Sequence, residues 1–136
     1  MRRCPQLHAL ILLSAACGSS TGVSLGGGGN MPGGSVVGVT IQDYSFSPAA
    51  LPVKVGTTVQ WTNNGPSPHT TTSDLGTWDS GQLSAPTSGG GYGGGSAGGT
   101  YRYTFTAAGT YGYHCANHPP SLPQYAGFTG TITVTP

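Results

Sequence analysis

Few side chains in this sequence can do chemistry, and they are unevenly placed. Beyond the first 35 residues there is one thiol, Cys115, and three imidazoles, His69, His114 and His118. Cys115 has no second cysteine in that part of the chain, so a disulfide there is excluded. Cys115-Ala116-Asn117-His118 sets a thiol three residues before an imidazole. A strand ending at Cys115, followed by a tight turn, aims both groups at one point. His69, in Pro66-Ser67-Pro68-His69-Thr70, supplies a third donor. One soft sulfur and two imidazole nitrogens form a trigonal set that suits copper as Cu(I) and as Cu(II). Taken singly, each residue has a plainer reading. His69 would be a solvated loop histidine, Cys115 a small buried apolar side chain, and His118 before Pro119 the end of a turn.

The remaining polar groups add little. His8 lies in the N-terminal segment and has no site role. His114 precedes Cys115, so its side chain points to the opposite face of the strand. Asp74 and Asp79 do not make an acid–base pair, and Asp79, in Trp78-Asp79-Ser80-Gly81, reads as a turn-fixing residue.

The elements that must position these donors are strands. Twenty-five glycines and 11 prolines among 136 residues, with no Glu and a single Lys, argue against helices. The length fits one domain. A first strand is expected over Val36–Gln42, then Val53–Val55, Thr58–Thr62 and a short Thr70–Thr72. Tyr101, Tyr103 and Phe105 alternate as on a half-buried strand, and Tyr111, Tyr113 and Cys115 share one face of the next. Phe128–Thr135 closes the chain with Ile132 and Val134 inward. Residues 88–99 are low-complexity and glycine-rich, and read as a solvent-exposed loop insertion, which closure entropy tolerates. Seven to eight short strands with regular turns describe an all-β sandwich. Its core is about 100 residues, enough to fold alone.

The first 35 residues are different in kind. Arg2 and Arg3 precede a mostly apolar run, Leu7–Ala16, too short to span a bilayer. Residues 1–16 read as a signal peptide. Leu13-Ser14-Ala15-Ala16-Cys17 resembles a bacterial lipobox, with Ser14 where that pattern has an aliphatic residue. The resemblance implies that Cys17 carries lipid. Residues 17–35 read as a flexible Gly/Ser tether, and residues 36–136 as the folded domain. The expectation is an exported protein, held by a lipid anchor on the periplasmic face or cell surface of a bacterial membrane, without spanning it. Within the domain Lys54 and Arg102 face Asp43, Asp74 and Asp79. That near-balance offers no basic patch for nucleic acid and weak long-range steering.

The domain resembles the plastocyanin/azurin-type cupredoxins from about Val36 to Val134. The likeness rests on Ile41-Gln42-Asp43-Tyr44-Ser45-Phe46-Ser47-Pro48, Val53-Lys54-Val55-Gly56, Val59-Gln60-Trp61-Thr62-Asn63, Pro68-His69-Thr70 and Trp78-Asp79-Ser80-Gly81. It continues through Tyr103-Thr104-Phe105, Gly109-Thr110-Tyr111, Tyr113-His114-Cys115-Ala116-Asn117-His118-Pro119 and Gly130-Thr131-Ile132-Thr133-Val134. It implies a Greek-key β-sandwich that shuttles single electrons on one copper ion, with His69, Cys115 and His118 as ligands. In such proteins the residue before the Cys often serves as an electron port, so His114 carries that reading beside the plainer one of a surface polar group. Ala116, rather than a second His after the Cys, argues against a link to a trinuclear oxidase cluster.

One position departs from the pattern. The family places a weak axial Met shortly after the second His, yet both Met residues here, Met1 and Met31, lie outside the domain. Counting back from Gly130 puts Phe128 at that position. Three arrangements fit: Phe128 as a non-ligating cap, Gln124 as an axial amide ligand, or the Pro68 carbonyl approaching from the other side. Axial ligation tunes the reduction potential. Asn63 or the Thr70 N–H would supply hydrogen bonds around the ligands. The function expected is an electron carrier rather than an enzyme, a monomer that meets redox proteins through transient contacts. The alternatives are a copper-binding or delivery lipoprotein and a metal-free structural sandwich.

Overall fold

The computed structural model describes residues 34–89 and 94–136. Residues 1–33, with the signal peptide, Cys17 and most of the tether, lie outside the described residues, as do positions 90–93 with Tyr92. Among the described residues no helix is long and apolar enough to cross a membrane.

Among the described residues, eight strands form two four-stranded sheets, an all-β Greek-key sandwich. They are β1 (Val36–Gln42), β2 (Ser45–Ser47), β3 (Ala50–Lys54), β4 (Thr58–Asn63), β5 (Thr72–Ser73), β6 (Thr100–Thr104), β7 (Gly109–His114) and β8 (Thr129–Thr135). One sheet runs β2-β1-β4-β6 and the other β3-β8-β7-β5. The chain changes sheet at every connection from β2 to β7. β1 lies parallel to β4 and β3 parallel to β8, while the other pairs are antiparallel.

Period-two burial builds the core and also aims the site. On β4, Val59, Trp61 and Asn63 alternate inward. Trp61 is wholly buried, and Asn63 continues its line to one end of the sandwich. Tyr113 and Cys115 follow the same rule from β7, as do Ile132 and Val134 along β8 and Phe128 just before it. Phe46, Phe128, Trp61, Trp78 and Tyr113 pack ring against ring between the sheets. Each such buried side chain contributes about 1.5–3 kcal/mol, so the end that carries Asn63, Cys115 and Phe128 has a rigid floor.

Three elements differ from the sequence expectation. β5 covers Thr72–Ser73 rather than Thr70–Thr72. β3 begins at Ala50 rather than Val53 and contains Pro52. Proline is tolerated because β3 is an edge strand, where one side of the backbone needs no ladder partner. β2 was not anticipated, since Ser45-Phe46-Ser47 carries only one apolar residue. It pairs with β1 through Ile41 opposite Phe46.

The described ends of the glycine-rich stretch pack against the sandwich. Thr87 pairs with Ser96, Gly99 N–H donates to the Ser84 carbonyl, and Asn63 N–H donates to the Gly99 carbonyl. Gly98 is buried, and a Cβ there would overlap the Asn63 carbonyl oxygen. The stretch therefore returns to lie directly on the end of β4.

Candidate metal centre

Three loops converge at that end. His69 follows β4, and its backbone pairs with Leu83 in both directions. Cys115 is the first residue after β7, and His118 N–H donates to the Cys115 carbonyl across 3.2 Å, which makes the expected tight turn. Asn117 Nδ2 donates to the Pro68 carbonyl at 3.1 Å, tying the two ligand loops together.

The three donors face one another. His69 Nδ1 lies 3.8 Å and His118 Nδ1 3.7 Å from Cys115 Sγ, and all three ligand atoms fall within 4.8 Å of one another. Bonds of about 2.3 Å to thiolate and about 2.0 Å to imidazole, as borderline first-row ions make, separate sulfur and nitrogen by about 3.8 Å in a trigonal centre. The donor set therefore fits copper in chemistry and in spacing. His69 and Cys115 are wholly buried, and His118 is half-buried.

Hydrogen bonds hold this arrangement from behind. Thr70 N–H donates to Cys115 Sγ at 3.3 Å. Thr70 Oγ1 accepts from Ala116 N–H at 2.8 Å, which pins the start of the Cys115–His118 turn. Asn63 is wholly buried; its Nδ2 donates to the carbonyls of Ser67 and Leu83, and its Oδ1 accepts from Gly65 N–H. Asn63 and Thr70 thus share the role for which the sequence offered either.

The axial region is aromatic. Phe128 is wholly buried, with its ring 5.0 Å from His69 and nearly perpendicular to it. Gln124 lies exposed on a single turn of 3-10 helix, Pro123–Tyr125. Tyr44 and Tyr125 stand edge-on to His118 at 5.1 and 4.9 Å. Partial burial, with the neighbouring His69, holds the His118 imidazole below its ordinary value of 6.5, although Asp43 pulls the other way.

Besides Asn117 and Tyr125, sequence reasoning missed the two residues of one turn. Asp43 and Tyr44 form the turn between β1 and β2, and with β2 unrecognised nothing marked that turn as facing the site. Tyr44 sits at φ 65°, a left-handed conformation uncommon for a bulky side chain. Its packing on His118, Tyr125 and Phe128 holds it there. Asp43 Oδ1 lies 2.7 Å from His69 Nε2. His114 instead points away from the centre, and its Nδ1 pairs with Asp74 Oδ1 at 2.6 Å. Asp79 Oδ1 accepts from Gly81 N–H, the turn role expected of it.

Residues 34–135 match the family of copper binding proteins described as plastocyanin/azurin. The chain belongs to that family. Plastocyanin from Scenedesmus fuscus is 39% identical over 99 residues, which cover 65% of this chain and 85% of that protein. Among solved structures, a purple cupredoxin from Nitrosopumilus maritimus aligns with a TM-score of 0.55 at 26% identity, over 73% of this chain and 99% of that one. The copper-containing nitrite reductase from Thermus scotoductus also aligns, with a TM-score of 0.55 at 26% identity, over 74% of this chain but only 22% of the reductase. As a cupredoxin, the protein holds one copper ion at its His-Cys-His site.

Proposed function

We propose that this cupredoxin is a one-electron carrier rather than a catalyst, working as an exported, lipid-anchored monomer that meets redox proteins transiently. The observation that carries the reading is the trigonal His69, Cys115 and His118 set, held by loops that the rigid end of the sandwich fixes in advance. When bound, copper supplies the chemistry by passing between Cu(I) and Cu(II). The protein contributes a geometry that suits both states. Thr70 N–H steadies the thiolate, Asn117 locks one ligand loop to the other, and Phe128 excludes water from the axial side. We take Phe128 as a non-ligating cap, because it is buried against His69 whereas Gln124 faces solvent.

Half-buried His118 is the route to the surface. Tyr44 and Tyr125 pack on it, and its own loop continues through Pro119, Pro120 and the exposed Leu122. An apolar rim of this kind suits the small, short-lived contacts of electron-transfer encounters. Export and anchoring are supported by Arg2, Arg3, the apolar run and the lipobox-like Cys17.

The test is to add Cu(II) to the soluble domain, record visible absorption and EPR, and follow with voltammetry. An intense thiolate-to-copper band, lost in Cys115→Ser, with reversible voltammetry and fast self-exchange, is the expected result. Ready loss of copper to a chaperone, with sluggish electron exchange, would replace the carrier reading with copper delivery.

A further inference from the structure

We propose that Asp43 is the positioning residue of the inward ligand, and that it poises the centre by placing a fixed negative charge behind His69. This rests on the copper site described above and concerns how its two oxidation states are balanced.

The contact is built rather than incidental. His69 is wholly buried, and its Nε2 meets Asp43 Oδ1 at 2.7 Å. With Nε2 engaged by the carboxylate, Nδ1 is the nitrogen left to face Cys115, and it is the one turned that way. The second carboxylate oxygen accepts from Ser67 Oγ at 3.0 Å. Ser67 stands two residues before His69, and Asn63 Nδ2 grips its carbonyl at 2.8 Å. Space for the acid depends on a missing side chain, since a Cβ on Gly65 would lie 2.7 Å from Asp43 Oδ1 and 2.9 Å from Asp43 N. One carboxylate thus binds the β1–β2 turn to the loop that carries the ligand.

Its charge has a direction. The Asp43 side chain keeps 26% of its surface in water and its oxygens meet Ser67 Oγ and His69 Nε2, so at neutral pH it stands there as a carboxylate. An anion hydrogen-bonded to a ligand raises that ligand's basicity and favours the more positive ion, so it stabilises Cu(II) over Cu(I). Phe128, which donates nothing to the metal, biases the centre the other way. The chain contains three side-chain carboxylates, and one of them is committed here.

Asp43→Asn keeps an acceptor for His69 and removes the charge, and Asp43→Ala removes both. Copper-loaded wild type and variants are compared by visible absorption, voltammetry and competition titration with Cu(II) and Cu(I). In Asp43→Asn the thiolate band persists, and affinity for Cu(II) falls about tenfold relative to Cu(I), within the range that second-layer changes produce. That is a rise of about 59 mV in a one-electron potential. Asp43→Ala moves the potential at least as far and also shifts the band, because His69 loses its anchor. Should Asp43→Ala fail to fold, Asp43→Asn alone decides. A coloured wild type whose variants differ only in melting temperature would overturn the proposal by itself. A wild type that stays colourless would overturn the site reading with it.

Discussion

The backbone N–H of Thr70 points at the sulfur of Cys115 from 3.3 Å, across 45 positions of sequence. The hydroxyl of the same residue takes the N–H of Ala116 at 2.8 Å and lies only 3.9 Å from the sulfur. Thr70 therefore holds the ligand and the turn after it with separate groups, and the two can be separated by mutation. Thr70→Val keeps the backbone donor and removes the acceptor of Ala116 N–H, which costs about 0.5–1.5 kcal/mol because Ala116 is exposed. The expected outcome is a lower thermal midpoint with the thiolate-to-copper band in place. Loss of the band would show that the hydroxyl holds the sulfur.

On the proposed reading, Phe128 caps the axial side without a donor atom. Phe128→Met places a thioether near the metal in a pocket already shaped by Tyr44, Phe46 and His69. A fourth, weak donor stabilises Cu(II), so the potential falls and the spectrum takes on four-ligand character. Phe128→Ala instead opens a cavity and costs about 3–5 kcal/mol. Voltammetry and EPR read the first variant and thermal melting the second. An unmoved potential in Phe128→Met would place the axial position elsewhere.

The metal-free protein should weaken on mild acidification. Burial first, and then His69, depress His118 below 6.5, so near that pH the unfolded chain binds a proton that the folded chain resists. Stability then rises with pH through this window, is complete above 6.5, and declines as pH falls toward the folded value. Asp43 acts lower down. Its carboxyl is also depressed, so its contribution is present above 3.8 and is lost as pH drops through the folded value. Denaturation midpoints from pH 7.5 downward check the first step. His118→Asn should flatten the slope near pH 6 and leave the more acidic loss in place.

The donor set was legible in sequence because it depends on local patterns. Cys115 ends an alternating strand, His118 follows by a tight turn, and the line through Val59 and Trp61 runs on to Asn63. Asp43 was hidden because its role depends on three segments meeting. Its partner His69 is 26 residues away, the turn that presents it needs β2, and the space it fills is set by Gly65. Burial of Phe128 was signalled by parity along the last strand, whereas the exposure of Gln124 follows from a short 3-10 turn that prolines and a tyrosine do not announce.

The low-complexity stretch before β6 also changes meaning once Gly98 is seen against the Asn63 carbonyl. Asn63 braces the loop of His69, so the Gly98 end of this stretch backs onto the copper site. Its monotony is a packing specification: any methyl group introduced at that one position would push on the bracket of a metal ligand. A tag or insertion at Gly98 would therefore reach the copper site through Asn63.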